Sequence, residues 1–271
     1  MEPLIGDYVL ALRAEGRPRS TIISIDGTLR RADRADELPV GIATATTAEI
    51  RAWLGREHLG ANTRAAYHHR LRGFFAWCVA ERLLDWDPME HMKAPRGRRC
   101  LPRPCSDGDL VIIVTQAPEP MRTLAILAAW AGLRCCELAR IHASDITEHA
   151  VLVRSGKGDR DRMVRCHPMV WQAVADLPPG VIVETLGGTA DPRWISNAGV
   201  RCCARLGLPG VSLHRLRHWY GTRLLDGGAS TLHVQQALGH ASVTSTQGYA
   251  LVSEESLSTA IMGLPGLGDL A

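Results

Sequence analysis

The stretch Leu213 to Tyr249, LHRLRHWYGTRLLDGGASTLHVQQALGHASVTSTQGY, gathers residue types that packing alone does not ask for. His214 is followed three places later by Arg217, His240 follows Gly239, and Tyr249 ends a short polar run. Breaking and rejoining a phosphodiester through a protein hydroxyl needs a nucleophile that forms a phosphate ester, cations that hold the charged phosphorus, and groups that move protons. Upstream, Arg134 in AGLRCCELAR and Lys157 in SGKGDRDR extend the set. Of 31 Lys and Arg, only Lys93 and Lys157 are lysine. Arginine stays protonated and makes a poor acid, whereas lysine can be tuned to release its proton.

Each position also has a plainer reading. Arg134 follows a glycine at the end of an apolar helix, where it can serve the helix dipole. The pair His214-x-x-Arg217 fits a surface charge network, His240 a helix cap, Tyr249 a core aromatic and Lys157 an ordinary turn. Tyr220 competes as nucleophile, but its neighbour Trp219 marks an apolar run and suggests packing. Five plain readings in this order are a poor account of the whole.

The elements that must position these residues follow from periodicity and caps. Residues 1–92 read as helical: Pro3 to Ala14, Thr21 to Arg34, and Glu49 to Arg56 opened by a Thr46/Glu49 capping box. Asn62 is placed to cap a longer helix, Thr63 to Leu83, with an apolar face of Tyr67, Leu71, Phe74, Phe75, Cys78 and Val79. Its other face shows Arg64, His68, Arg72 and Arg82, a face that suits water or a DNA groove.

After residue 104, Ser106 and Asp109 cap a helix, and Ala117 to Trp130 continues helical up to Gly132. Val151 to Arg154 and Met163 to Cys166 alternate as strands around the hairpin tip that carries Lys157. Pro168 to Asp176, Arg193 to Leu206, Leu213 to Asp226, Thr231 to Leu238 and Glu254 to Met262 read as helices. Leu177 to Asp191 reads as loop, and the end of the chain as a loose Gly-rich tail.

The composition, 46% apolar and 22% charged over 271 residues, is that of a globular protein with one large or two small domains. With no signal peptide and no apolar run of membrane-spanning length, a cytoplasmic location without membrane contact is expected. The eight cysteines show no CxxC spacing, so reduced thiols are expected rather than a zinc site. The net charge is +3, but Lys93 to Pro104, KAPRGRRCLPRP, carries five cations and no acid. It reads as a linker that is either simply solvated or laid along a phosphate backbone.

AGLRCCELAR, GKGDRDR, LHRLRHWYGTRLL and LGHASVTSTQGY together resemble the tyrosine recombinases, the family of phage integrases and Xer-type recombinases. The likeness runs from about Thr46 to about Met262, with the family's nine-residue step from His240 to Tyr249. Cys135-Cys136 and Ala250-Leu251 depart from the family's usual residues at positions that need no chemistry.

The resemblance implies a mainly α fold with a small β-hairpin in the catalytic domain, organised as a two-domain DNA clamp. Residues 1–92 would be the helical core-DNA-binding domain, 93–104 the basic linker, and 105–271 the catalytic domain with an oligomerisation tail from about residue 253. The family's larger integrases carry a further arm-binding domain, and residues 1–92 hold only enough for the core-binding helices.

It further implies that Tyr249 attacks the phosphate to form a 3′-phosphotyrosine, that Arg134 and Arg217 clamp the non-bridging oxygens, and that Lys157 protonates the leaving 5′ oxygen. His214 and His240 would assist, Glu137 would orient a neighbour, and no metal or other cofactor is called for. Arg64, Arg72, Lys93, Arg96, Arg98, Arg99 and Arg103 would meet double-stranded DNA. Protomers would be monomers free in solution and tetramers in the synaptic complex. Two other readings remain open at this point: a type IB topoisomerase, which nicks and closes one duplex, and a DNA-binding regulator without activity.

Overall fold

The computed structural model describes residues 2–98, 103–154, 161–185, 188–239 and 254–270. The chain divides into two compact units, residues 1–100 and 101–271.

The first unit is helical: α1 (Glu2–Ala14), α2 (Arg19–Asp33), a 3-10 turn (Ile42–Thr44), α3 (Thr47–Gly55) and α4 (Ala61–Ala80). The expected capping box opens α3, with the Glu49 amide donating to the Thr46 hydroxyl and the Thr46 amide to Glu49 Oε2. The apolar stripe of α4 buries Tyr67, Leu71, Phe74, Phe75 and Cys78 against Leu29, Ile50 and Trp53.

Three expectations for this unit change. Asn62 is not a cap; α4 starts at Ala61 with Gly60 as its N-cap, and Asn62 Oδ1 accepts from the Arg98 amide at 2.7 Å. His68 is buried rather than on the polar face, and burial holds its pKa below the usual value. The helix ends at Ala80, because Arg82 turns the chain with φ of 58°.

The second unit surrounds α6 (Met121–Trp130), whose residues are almost all buried. A helix apolar on every side belongs at the centre of a domain. Around it lie α5 (Asp107–Gln116), α8 (Pro168–Val174), α9 (Pro192–Arg205) and α10 (Leu213–Asp226), with short α7 (Cys135–Leu138) and a 3-10 turn (Ala143–Asp145) following α6. The helix expected from Ala117 starts only at Met121, because prolines at 118 and 120 separate α5 from α6.

Strands β1 (Ala150–Val153) and β2 (Arg162–Arg165) form an antiparallel hairpin with Val151 opposite Val164 and Val153 opposite Arg162. A second, two-residue pair, β3 (Glu184–Thr185) with β4 (Gly188–Thr189), lies where only loop was expected. Its strands are too short to show periodicity.

Two features fix the helix that bears His214 and Arg217. Arg215 of α10 donates to the carbonyls of Arg103, Pro104 and Gly210, at 3.0, 3.0 and 3.1 Å. Asp107, in the first turn of α5, accepts from the Trp219 indole at 2.7 Å and from Arg223. Helix α10 is thus stapled at both ends to the start of its own unit.

The end of the chain is not loose. Helix α12 (Glu254–Met262) and a 3-10 turn (Leu267–Leu270) bury Ile261 and Leu264, and the Trp130 indole donates to the Pro265 carbonyl at 2.9 Å. His167, also buried, lies 3.1 Å from the Leu264 carbonyl. The seven described cysteines are free thiols, and burial pushes Cys105 up to about 12 and Cys78, Cys166 and Cys203 up to about 11.

Candidate active site

At the end of α6, Gly132 adopts φ of 64°, and a Cβ there would stand 2.6 Å from the Tyr220 ring. Glycine is required at this turn. It directs the chain so that Arg134 becomes the N-cap of α7 and Glu137 falls in the first turn. The Arg134 amide donates to Glu137 Oε2 at 2.7 Å and its guanidinium to Oε1 at 2.9 Å. Glu137 is buried, with 7% of its surface exposed.

Two more arginines meet that carboxylate. Arg162, at the start of β2, forks onto it with bonds of 2.7 and 3.0 Å. Arg217 of α10 lies 3.6 Å away. Burial pushes the Glu137 carboxyl up, but the Arg162 bonds and charge, the Arg134 amide and the Arg217 charge outweigh it, and the net shift is downward.

The same guanidinium groups cap one helix. Helix α11 (Thr231–Leu238) ends at Gly239, φ 61°. Arg162 donates to the Ala237 carbonyl at 3.2 Å, Arg217 to Leu238, and Arg134 to Gly239 at 2.7 Å. Carbonyls of a last helical turn lack partners within the helix and carry the negative end of its dipole, so cations there are doubly favoured. The next residue in the chain is His240.

Charge does not balance in this cluster. Three guanidinium groups surround Glu137, the one carboxylate within ion-pair distance of any of them among the described residues. Arg217 is almost wholly buried, and burial, then the Arg134 charge, push its pKa down to about 10. It stays charged at neutral pH in a place that disfavours its charge. His214, more exposed, sits one helical turn before Arg217 and meets His218 edge to face at 4.3 Å. Burial first, then Arg217 and Arg134, lower its pKa, so the imidazole is neutral at pH 7. A partly exposed rim with an excess of positive charge, fixed donors and a neutral histidine suits an anion such as a phosphodiester.

Arg134, Glu137, Arg217 and His214 therefore come together. Lys157, His240, Tyr249 and Arg99 lie outside the described residues. Lys93, Arg96, Arg98 and Arg103 are exposed. Arg64 spends its donors on the carbonyls of Leu54, Arg56 and Leu59, and Arg72 reaches the Met89 carbonyl at 3.3 Å, structural tasks that periodicity did not reveal. Arg162 was not singled out from the sequence. Its signal was there: strand alternation puts it on the same side as buried Val164, an inward position where an arginine needs a partner.

Tyr220 is fully buried with no hydrogen-bond partner for its hydroxyl among the described residues, and burial raises its pKa well above the ordinary value. Its role is packing over Gly132. Tyr8 and Tyr67 are buried in the first unit, which leaves Tyr249 as the fourth tyrosine of the chain.

The phage integrase family model matches residues 190–256. The tyrosine recombinase XerC of Rhodospirillum centenum is 35% identical over 234 residues, covering 77% of this chain and 68% of that protein. XerC of Corynebacterium efficiens is 30% identical over 272 residues, covering 93% and 86%. The integrase from mycobacterium phage Brujita is similar in structure, with a TM-score of 0.55 at 27% identity over 97% of this chain and 92% of that one. A lambda integrase dimer bound to a COC′ core site shares the fold, with a TM-score of 0.69 at 20% identity over 93% and 99%.

The chain belongs to the tyrosine recombinase family. It is a DNA breaking-rejoining enzyme of the site-specific recombinase class, and the topoisomerase reading is not favoured.

Proposed function

We propose that Tyr249 is the nucleophile and that Arg134 and Arg217 hold the scissile phosphate. The observation that carries this reading is the surplus of positive charge around Glu137 at the end of α11, ten residues before Tyr249. Tyr249 attacks phosphorus, the 5′ oxygen departs, and a 3′-phosphotyrosine remains. The ester stores the bond energy, and reversal of the step by an incoming 5′-hydroxyl rejoins the strand. Lys157 gives the proton that the 5′ oxygen needs, because an alkoxide leaves far less readily than a phenolate. Neutral His214 accepts or relays the tyrosine proton, His240 donates to a phosphate oxygen, and Glu137 holds the arginines in place.

The partner is double-stranded DNA at a specific core site. Residues 1–92 supply helices for one face of the duplex, and exposed Lys93, Arg96, Arg98 and Arg103, with Arg99, follow the phosphate backbone. Arg64 and Arg72 support that surface. Monomers in solution assemble into a tetramer on paired sites, and residues after Tyr249 pass to a neighbour, exchanging the contacts they make within their own unit. A lambda integrase tetramer bound to a Holliday junction, which shares the fold, supports this assembly. The cellular task, carried out in the cytoplasm, is phage or mobile-element integration and excision; the Brujita integrase, matched over nearly its full length, supports this.

Incubation with a nicked suicide duplex tests the reading. The wild type should form a covalent adduct located on Tyr249, and Tyr249→Phe should bind the same DNA without forming one. An adduct on another side chain, or none with the wild type, overturns it.

A further inference from the structure

We propose that Arg162 is a positioning residue: it occupies Glu137 so that Arg134 and Arg217 keep donors free for the phosphate, and it fixes the end of α11 from which His240 and Tyr249 continue. The inference rests on the site reading above.

Arg162 makes three side-chain hydrogen bonds among the described residues, one from each guanidinium nitrogen, against two each for Arg134 and Arg217. Both terminal nitrogens fork onto Glu137, at 2.7 and 3.0 Å, and Nε donates to the Ala237 carbonyl at 3.2 Å. Its side chain is 14% exposed, between Arg134 at 30% and Arg217 at 4%. It is also wedged beneath Gly239, where a Cβ would stand 2.8 Å from its Nη1. A group so occupied has little left to offer a substrate.

Its partners explain what it does. A carboxylate offers about four acceptor sites in the plane of its oxygens. Arg162 fills two of them, and Arg134 fills two with its amide and one guanidinium nitrogen. Without Arg162, two sites of a buried carboxylate fall open, and the nearest donors able to fill them belong to Arg134 and Arg217. Those guanidinium groups would turn inward, away from the rim where an anion arrives. The Ala237 carbonyl would lose its cap in the same step. Arg162 also lies five residues beyond Lys157 in the chain, so the hairpin that carries the acid and the helix end before His240 are joined through one side chain.

Lysine cannot reproduce this arrangement, since a single ammonium cannot fork onto a carboxylate and also reach a carbonyl on the opposite side. Arg162→Lys and Arg162→Met should therefore both slow single-turnover cleavage of a suicide duplex at saturating DNA by roughly 100-fold, the loss that a misplacement of about 1 Å produces. DNA affinity should stay within about threefold of wild type, which also reports that the variants are folded. In a Glu137→Gln background, Arg162→Met should add less than about threefold to the loss, because the two residues act as one unit. Unchanged cleavage by Arg162→Lys overturns the proposal. So does a parallel loss of affinity and rate, which would make Arg162 a DNA contact, or a full second loss in the Glu137→Gln background. Absence of an adduct with the wild type would instead defeat the reading of the site itself.

Discussion

Replacing Glu137 by Gln keeps the shape of the side chain and removes its charge. The structure supplies the magnitude. Four N–H groups point at the two carboxylate oxygens: Arg134 Nη1 at 2.9 Å and Arg162 Nη1 at 2.7 Å on Oε1, the Arg134 amide at 2.7 Å and Arg162 Nη2 at 3.0 Å on Oε2. A glutamine amide presents one oxygen and one NH2. Whichever way it turns, two of the four N–H groups face another donor. Two charge-assisted bonds of about 1.5–3 kcal/mol each are lost, and three guanidinium groups lose their counter-charge. Relief of the buried carboxylate's desolvation offsets part of this. A net destabilisation of about 3 kcal/mol remains.

For a unit of this size, about 2–4 °C of melting temperature follows each kcal/mol, so the transition of residues 101–271 should fall by about 6–12 °C in a thermal melt of the full chain. Leu71→Ala, in the core of the other unit, identifies the transition of residues 1–100. If Glu137→Gln melts within about 2 °C of wild type, the carboxylate is not the keystone of a charged network and the electrostatic argument fails. The pH dependence has a definite sign. The folded pKa of Glu137 lies below its ordinary 4.5, so its stabilising contribution is complete above that pH and is lost as pH falls through the folded value. The difference between wild type and Glu137→Gln should vanish only in that acid range.

Three further outcomes follow from the geometry. Sulfate at constant ionic strength should stabilise the second unit, by about 1.4 kcal/mol at tenfold its dissociation constant, and Arg134→Ala should remove most of that gain; an equal gain in the variant would mean the anion binds elsewhere. Gly239→Ala should cost about 2 kcal/mol in chemical denaturation, because a Cβ at φ 61° is strained and meets Arg162, and a neutral substitution would contradict the described end of α11. His214, its pKa held below 6.5 by burial and then by Arg217 and Arg134, should produce an acid limb in the cleavage rate with a midpoint below pH 6.5, absent in His214→Gln; a midpoint above 6.5 assigned to His214 would refute the placement.

Much of the framework was legible because it depends on neighbours in sequence. Helices α10, α11 and α12 begin and end where periodicity put them, and the capping boxes at Thr46 and Ser106 form as their spacing requires. The family motifs located Arg134, Arg217 and His214, which the structure brings together. What was missed is tertiary. Arg162 and Glu137 are 25 residues apart, and Arg134 and the Gly239 carbonyl 105 apart, so no local pattern announces either bond. Asn62 was assigned to a cap on local propensity, but a chain segment 36 residues on claims its side chain. The tail looked loose from its glycines; Trp130 and His167, far back in the chain, hold it.

The site's electrostatics also bear on why recombination chemistry can be reversible here. Arg217 sits where burial and Arg134 both oppose its charge, and among the described residues a single buried carboxylate compensates three cations. Such a cluster is less favourable empty than occupied, since an arriving phosphate supplies the missing negative charge without displacing Glu137. The scissile phosphate carries that charge before cleavage, as the phosphotyrosine ester and again after religation. In the mechanism proposed above, the same donors serve the forward and reverse steps, with their largest gain at the phosphorane between them, where charge is greatest. An added carboxylate at the rim would cancel this surplus. Cys136→Asp, two residues after Arg134 and exposed, should accordingly weaken cleavage more than DNA affinity, whereas Cys136→Ser should leave both near wild type.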